Sequence, residues 1–237
     1  MARDGMGAME MASQVQRETT LRDGPGRDLG LEAYSKLKDA IEDGIIVPGT
    51  RVTETDLSER FEMSRTPIRE AIYRLESEGL LSHEPRRGLV VTQPDHQMIV
   101  ELYTMREALE GTAARLAAQH ASEAELITLA EINGLEPTLF EEPRALSRLN
   151  RRFHSMIYMS AHNRYLLKSL ENMASTIALL PTMLDLPGRP AEAHAEHRTV
   201  LEAIVSRDAG DAEAAARDHI RSAGRRRVDL LSQAVHG

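Results

Sequence analysis

The sequence predicts a mainly α fold in two parts: three short helices with a two-stranded hairpin, then an all-α bundle of six helices. Three observations predict it. In three stretches between residues 31 and 80, apolar residues recur at the spacing of one helix face. Residues 81–92 instead read as two short strands with Arg86-Arg87-Gly88 near the tip between them. From Pro94 onward the strand signals vanish and helical spacing returns.

The first helix is expected over Leu31 to Gly44, with Leu31, Tyr34, Leu37, Ala40 and Ile41 on its apolar face and Gly44 at its end. Pro48-Gly49 marks a turn. Thr53 to Phe61 reads as the second helix, with Thr53 and Asp56 at capping-box spacing. Ser64 can cap the third, and Pro67 lies in its first turn, where a missing N–H does little harm. Ile68, Ala71, Ile72 and Leu75 make its buried stripe, and Gly79 stops it. Helix, helix, helix, hairpin is a winged helix-turn-helix, placed at residues 29–93. Residues 1–28 show no sustained periodicity and read as a mobile extension. The bundle takes 94–237.

The outer face of the third helix carries Arg65, Thr66, Arg69 and Tyr73. A short helix with one core face and an Arg/Thr face near its N-terminus can enter a major groove, where it contacts phosphates and the O6/N7 edge of guanine. The candidate DNA contacts are Ser64, Arg65, Thr66, Arg69 and Arg74, with Arg86, Arg87 and Gly88 on the wing. The run from Ala40 to Val91 is similar to the DNA-binding domain of the GntR family of bacterial transcription regulators. Pro48-Gly49, Ser64-Arg65-Thr66-Pro67, Arg69-Glu70-Ala71, Gly79-Leu80 and Gly88 are all in register. The resemblance implies a homodimer on a palindromic operator in double-stranded DNA.

Composition bounds this reading. The net charge is −8 over 237 residues, and acids outnumber Lys plus Arg within 29–92 as well. DNA contact must therefore rest on the local patch of Arg65, Arg69, Arg74, Arg86 and Arg87, while the acidic remainder limits non-specific binding. Cysteine is absent, which excludes disulfides and thiolate metal sites and fits a cytoplasmic protein. No apolar run approaches membrane-spanning length and no signal-peptide core is visible, so no membrane partner is expected. Arg225-Arg226-Arg227 reads as a solvated helix end.

Bundle helices are expected near 95–120, 123–133, 144–161, 163–180, 190–207 and 211–234. Breaks fall at Asn133-Gly134, Pro143, Pro181, Pro187-Gly188-Arg189-Pro190 and Gly210. Spaces between bundle helices are common ligand sites. Asn150 and His154 share a helix face at i and i+4; His197 lies with Val200, Leu201 and Ile204; His219 lies with Ala212, Ala216 and Ala223. Neutral imidazoles and one oxygen donor converging in a bundle can hold a divalent metal. Any one of these histidines alone reads more readily as a hydrogen-bonded core or surface residue. Arg106 shares a face with Leu102, Leu109 and Ala113, so it needs an acidic partner, which Glu110 at i+4 can supply. The apolar set Leu126, Leu129 and Ala130 reads as core.

The segments LNRRFHSMIYMSAHN, EHRTVLEAI and RDHI are similar to parts of the FCD ligand-binding domain, which marks the FadR subfamily of GntR regulators. The resemblance implies a metal such as zinc or nickel held by His154, His197, His219 and residue 150. That position is usually Asp and is Asn150 here. A neutral amide ligates more weakly than a carboxylate, so the implied site is weakened, or the pocket holds an anion without metal. His194, one turn before His197, is a substitute ligand by position, though it reads more readily as a partly exposed polar residue. The segment TMREALEGTAARLAA implies that Arg106 anchors the carboxylate of a small organic acid effector. The expected function is a ligand-responsive regulator, a repressor released or modulated by that effector. The alternatives are a metal-sensing regulator and a metal-dependent hydrolase using the histidines. Against an enzyme, the chain has no HExxH, no GxSxG and no carboxylate-rich dinuclear pattern, and Gly24-x-Gly26 lacks the third glycine of a dinucleotide loop.

Overall fold

A computed structural model describes residues 25–236, with side chains from 29 to 232. The element order is α1 (Pro25–Glu42), α2 (Glu54–Phe61), α3 (Arg65–Ser77), β1 (Leu81–Glu84), β2 (Gly88–Val91), α4 (His96–His120), α5 (Glu123–Leu135), a 3-10 turn (Glu136–Leu139), α6 (Pro143–Ser160), α7 (Arg164–Ala178), α8 (Arg189–Val205) and α9 (Ala209–His236). The chain divides into two compact units: one runs to Ile45 and resumes over Thr50–Val91, the other comprises Ile46–Gly49 and everything from Thr92.

In the first unit α1 packs along α3. Leu37, Ile41, Leu57, Ile68, Leu75 and Val90 close its core. The Thr53 side chain accepts from the Asp56 N–H and caps α2. Ser64 occupies the N-cap position of α3 in extended backbone, but its side chain makes no capping bond, so that expectation is corrected. Gly79 ends the helix region with φ 76°, a left-handed value that costs glycine little. Strand β1 pairs antiparallel with β2, from Leu81 opposite Val91 to Glu84 opposite Gly88. Arg51 adds a bridge to Val90, and the Val52 N–H donates to Leu89 O, so the wing has a third strand-like anchor that the sequence did not announce.

The second unit has six helices among the described residues, as expected, with shifted ends. Helix α1 starts at Pro25, so residues 25–28 are helical rather than part of an extension; residues 1–24 lie outside the described residues. Asn133-Gly134 does not break its helix, which runs to Leu135 and tightens into the 3-10 turn. Pro143 starts α6, and Gly210 sits in the first turn of α9. The capping box of Ser122 and Glu125, an S-x-x-E signal, fixes the start of α5. The long pair α4 and α9 packs closely because two positions lack a Cβ. A Cβ at Gly224 would come within 3.0 Å of the Tyr103 ring, and one at Gly111 within 2.6 Å of Arg217. The core joins Phe153, Ile157, Leu129, Ile132, Leu170 and Ile204 with the alanines of α4.

Candidate functional site

Three histidines from three helices meet inside the bundle. His154 on α6, His197 on α8 and His219 on α9 are all buried, and one ring nitrogen of each lies within 4.8 Å of the others. Each is aimed by its own carboxylate. His154 Nδ1 lies 2.8 Å from Glu110 Oε2, His197 Nδ1 2.7 Å from Glu136 Oε1, and His219 Nδ1 2.8 Å from Glu196 Oε2. Nδ1 is thus the hydrogen-bonding nitrogen in all three, which leaves Nε2 with the lone pair. Such carboxylate–imidazole pairs fix ring orientation and raise ligand basicity.

A second row stands behind the carboxylates. Arg106 Nε donates to Glu110 Oε1 at 2.7 Å, Arg189 Nη2 donates to Glu196 Oε2 at 2.9 Å, and His194 Nδ1 lies 3.0 Å from Glu136 Oε2. Asn133 Nδ2 also donates to Glu136. The result is three radial chains running imidazole, carboxylate, cation or imidazole. Burial would raise all three carboxylates, but their partners win. The Arg106 charge and then His154 hold Glu110 well below the usual carboxylate range; hydrogen bonds from His219 and Arg189 lower Glu196 to about 2; and His197 and His194 lower Glu136. Burial lowers His197, and lowers His219 to about 3, so both imidazoles are neutral at pH 7. The Tyr158 hydroxyl is raised well above its ordinary value by burial and by the Glu110 charge.

The residues fit a metal. His197 Nε2 is buried with no hydrogen-bond partner, a donor atom pointing at nothing within its reach. Nitrogen ligands of one ion at ~2.1 Å lie at most ~4.2 Å apart, so the triad needs at most a slight closure. The space among the rings, lined also by Glu110, Phe153, Ile157, Tyr158, Val200, Ala216 and Ile220, is about one water in size. It holds an ion, not an organic acid, without movement of the helices. Asn150 is half-buried one turn before His154 and is not among the lining residues. His194 faces Glu136 rather than the triad. Arg106 is also outside the lining; its structure is the ion pair with Glu110 that the i+4 spacing allowed. Glu136 lies 61 residues before His197, and no local spacing signals that pairing.

The DNA-contact candidates gather on one unit. Arg65, Thr66, Arg69 and Tyr73 are exposed on α3, with exposed Ser64 at its N-cap, opposite buried Ile68, Ala71, Ile72 and Leu75. Arg69 makes a two-bond fork with Glu54, both bonds 2.8 Å. Arg74 stacks 4.0 Å over the Tyr34 ring beside Glu78, so it is partly committed to its own unit. Arg86 and Arg87 are exposed at the wing tip, and Arg87 bonds Glu84 at 2.8 Å. Gly88 has φ 80° and opens β2.

Residues 29–91 match the gntR family of bacterial regulatory proteins, and residues 101–222 match the FCD domain. The chain belongs to the GntR family, in its FCD-containing branch. This GntR regulator is 33% identical over 195 residues to the transcriptional regulator YdhC of Bacillus subtilis, covering 80% of this chain and 85% of that protein. It is 27% identical over 205 residues to the transcriptional repressor RspR of Escherichia coli, covering 83% and 87%. In fold it resembles E. coli McbR/YncC, with a TM-score of 0.75 at 24% identity over 87% of this chain and 98% of that one. It is a DNA-binding transcription regulator and not an enzyme. Among the described residues, no helix is long and apolar enough to cross a membrane.

Proposed function

We propose that this GntR regulator is a homodimeric repressor whose winged units read a palindromic operator. In this reading a small organic acid, acting at a metal-loaded bundle, releases or modulates it. The convergence of three buried imidazoles, each aimed by a carboxylate, carries the bundle half of this reading. His154, His197 and His219 would hold a divalent ion such as zinc or nickel, with Asn150 as a weak oxygen ligand that must turn inward to reach it. A bound ion supplies a Lewis-acidic position that attracts a carboxylate, and with only neutral protein ligands its charge is not cancelled in the first ring of contacts. Arg106 acts by pinning Glu110, which aims His154; an effector carboxylate reaches Arg106 only by displacing Glu110.

The size of the cavity supports the regulatory step. Residues from α4, α6, α8 and α9 line it, so an organic acid must part these helices to enter. That differential fit between two bundle packings is what shifts the population of DNA-competent dimers. Arg65, Thr66 and Arg69 on α3 are the base-edge and phosphate candidates, and Ser64, Arg74, Arg86, Arg87 and Gly88 flank them. RspR, similar along most of the chain, is by name a repressor, which favours that sign.

The test starts from a genomic fragment selected by the purified protein. Gel shifts are run with the metal-stripped and zinc- or nickel-loaded protein, with and without organic acids. The effector reading expects metal plus acid to change affinity where metal alone does not. A change with metal alone makes the ion itself the signal, and no metal uptake by elemental analysis retires the metal half.

A further inference from the structure

Two buried arginines of the bundle carry guanidinium nitrogens that the fold leaves unsatisfied. Arg189, the first residue of α8, is 3% exposed. Its Nη2 donates to Glu196, but Nη1 has no hydrogen-bond partner; the Glu192 carboxylate stands 3.7 Å away. Arg227 on α9 is 8% exposed, and its Nε has no partner either. This corrects the reading of Arg225-Arg226-Arg227 as a solvated end: Arg225 is exposed and Arg226 half-buried, whereas Arg227 is turned in. It follows buried Ile220 and Ala223 by seven and four residues, on the inward face of α9.

The two arginines lie at one level. Glu196 meets His219 and Glu192 meets Arg226, so α8 and α9 run antiparallel, and the same register sets Arg189 against the turn that carries Arg227. Folded proteins seldom keep a buried charged donor without an acceptor, and such a donor commonly marks a water, an ion or a ligand. Two at one level mark one missing acceptor. Glu192 already pairs with Arg189 and Arg226, and Glu196 with Arg189 and His219, so both nearby carboxylates are shared before Arg227 is considered. Arg106, by contrast, has no nitrogen left buried and unpaired.

We propose that this end of the bundle is an anion site in which one carboxylate of a small organic acid bridges Arg189 Nη1 and Arg227 Nε. It stands apart from the histidine cavity, whose lining includes neither arginine. Glu196 links the two, since the same oxygen takes His219 Nδ1 and Arg189 Nη2. An occupant that draws on Arg189 therefore changes how Glu196 holds His219. A second route leads through Ile99 in the first turn of α4, which clusters with Ile220, Ala223 and Val228. Helix α4 follows the wing strand β2 after four residues, so its first turn is the covalent start of the bundle.

The inference rests on the proposed function only in taking the ligand to be a carboxylate. Full-length protein stripped of metal is titrated calorimetrically with acetate, succinate and inorganic phosphate. Wild type and His197→Ala are expected to bind acetate or succinate saturably, and Arg227→Met and Arg189→Met to bind about tenfold more weakly or worse. Arg227→Met removes an unsatisfied donor, so its melting temperature is expected to match or exceed that of wild type. Arg227→Gln covers the case in which Met disturbs packing, and the same loss of affinity is expected there. No carboxylate binding to wild type, binding of phosphate alone, or undiminished binding in Arg227→Met and Arg227→Gln overturns the site. Zinc uptake measured on the same preparations separates the two readings: zinc without anion binding overturns this site alone, and anion binding without zinc overturns the metal reading alone.

Discussion

Arg69 in the winged unit and Arg106 in the bundle each lay a guanidinium edge on a glutamate, Glu54 at 2.8 Å and Glu110 at 2.7 Å. The bonds are nearly the same and their surroundings are opposite. The Arg69 and Glu54 side chains are 68% and 36% exposed, those of Arg106 and Glu110 8% and 4%. In water such a pair exchanges readily with solvent, and Arg69 can leave Glu54 for a phosphate or a guanine edge at little cost. In the interior neither partner has an alternative, and Glu110 has a second task in aiming His154. The same two residue types thus make a reversible contact on one unit and a fixed strut in the other.

The largest effect is expected from breaking the strut. Glu110→Gln leaves Arg106 charged and buried without its counter-ion, so unfolding of the bundle should become easier by about 3–5 kcal/mol, read from denaturant melts. Replacing both residues, Arg106→Met with Glu110→Leu, should recover most of that loss while still freeing His154 from its carboxylate. A loss under about 1 kcal/mol in the single variant would place the pair in effective contact with water.

Acid should separate the two units next. The folded His219 titrates near 3 against an unfolded value of about 6.5, so between those pH values the unfolded chain binds a proton that the fold does not. Stability is then fully present above about 6.5 and falls as pH drops through the window, by at most about 1.4 kcal/mol per pH unit for one group. Glu196, depressed to about 2, adds a further loss below the ordinary carboxylate range, about 4.3. Calorimetry of metal-stripped protein at pH 7, 6, 5 and 4 reads this; a flat bundle transition would show the histidines to be solvated.

On the other unit, Arg65→Ala and Arg69→Ala are each expected to weaken operator binding by something on the order of tenfold to a hundredfold, with dimerisation and melting unchanged. Both side chains emerge opposite the Ile68, Ile72 and Leu75 stripe, so truncation opens no cavity. Undiminished gel-shift affinity in both variants would remove α3 from the groove. A smaller change is expected at Asn150→Asp, which should tighten zinc or nickel binding by about tenfold. Its side chain is half-buried and stands outside the cavity lining, so it gains contact only by turning inward. Unchanged metal affinity would leave the triad as the whole protein ligand set.

What the sequence made legible follows the same divide between local and distant. Helix positions came through because apolar spacing is local, and Arg106–Glu110 because i+4 neighbours meet on any helix. The histidine triad came through as three separate faces, but Glu136 and Glu196 did not. Glu136 bonds His197 across 61 residues, and Glu196 bonds His219 across 23. Arg227 was misread because a basic run near a terminus looks solvated, while burial is decided by which face of α9 turns into the bundle. Ser64 was placed correctly at the helix start, but its hydroxyl makes no cap, since capping depends on a rotamer that composition does not fix.

The smallest effect should come from the exposed twin of the strut, and it is the sharpest control on the comparison. Glu54→Gln removes the charge from a fork whose bonds are nearly as short as the buried one. Water already solvates both partners, so the melting temperature should not move while Glu110→Gln lowers it markedly. Removing the carboxylate should also lighten the step in which Arg69 leaves for DNA, since no acid then competes with the phosphate for the guanidinium. Operator affinity should hold or rise, and its fall with salt should be no shallower than in wild type. A melting loss matching that of Glu110→Gln would mean that burial is not what separates the two pairs. A drop in operator affinity at unchanged stability would assign Glu54 a different part: holding Arg69 in the orientation that reads the groove.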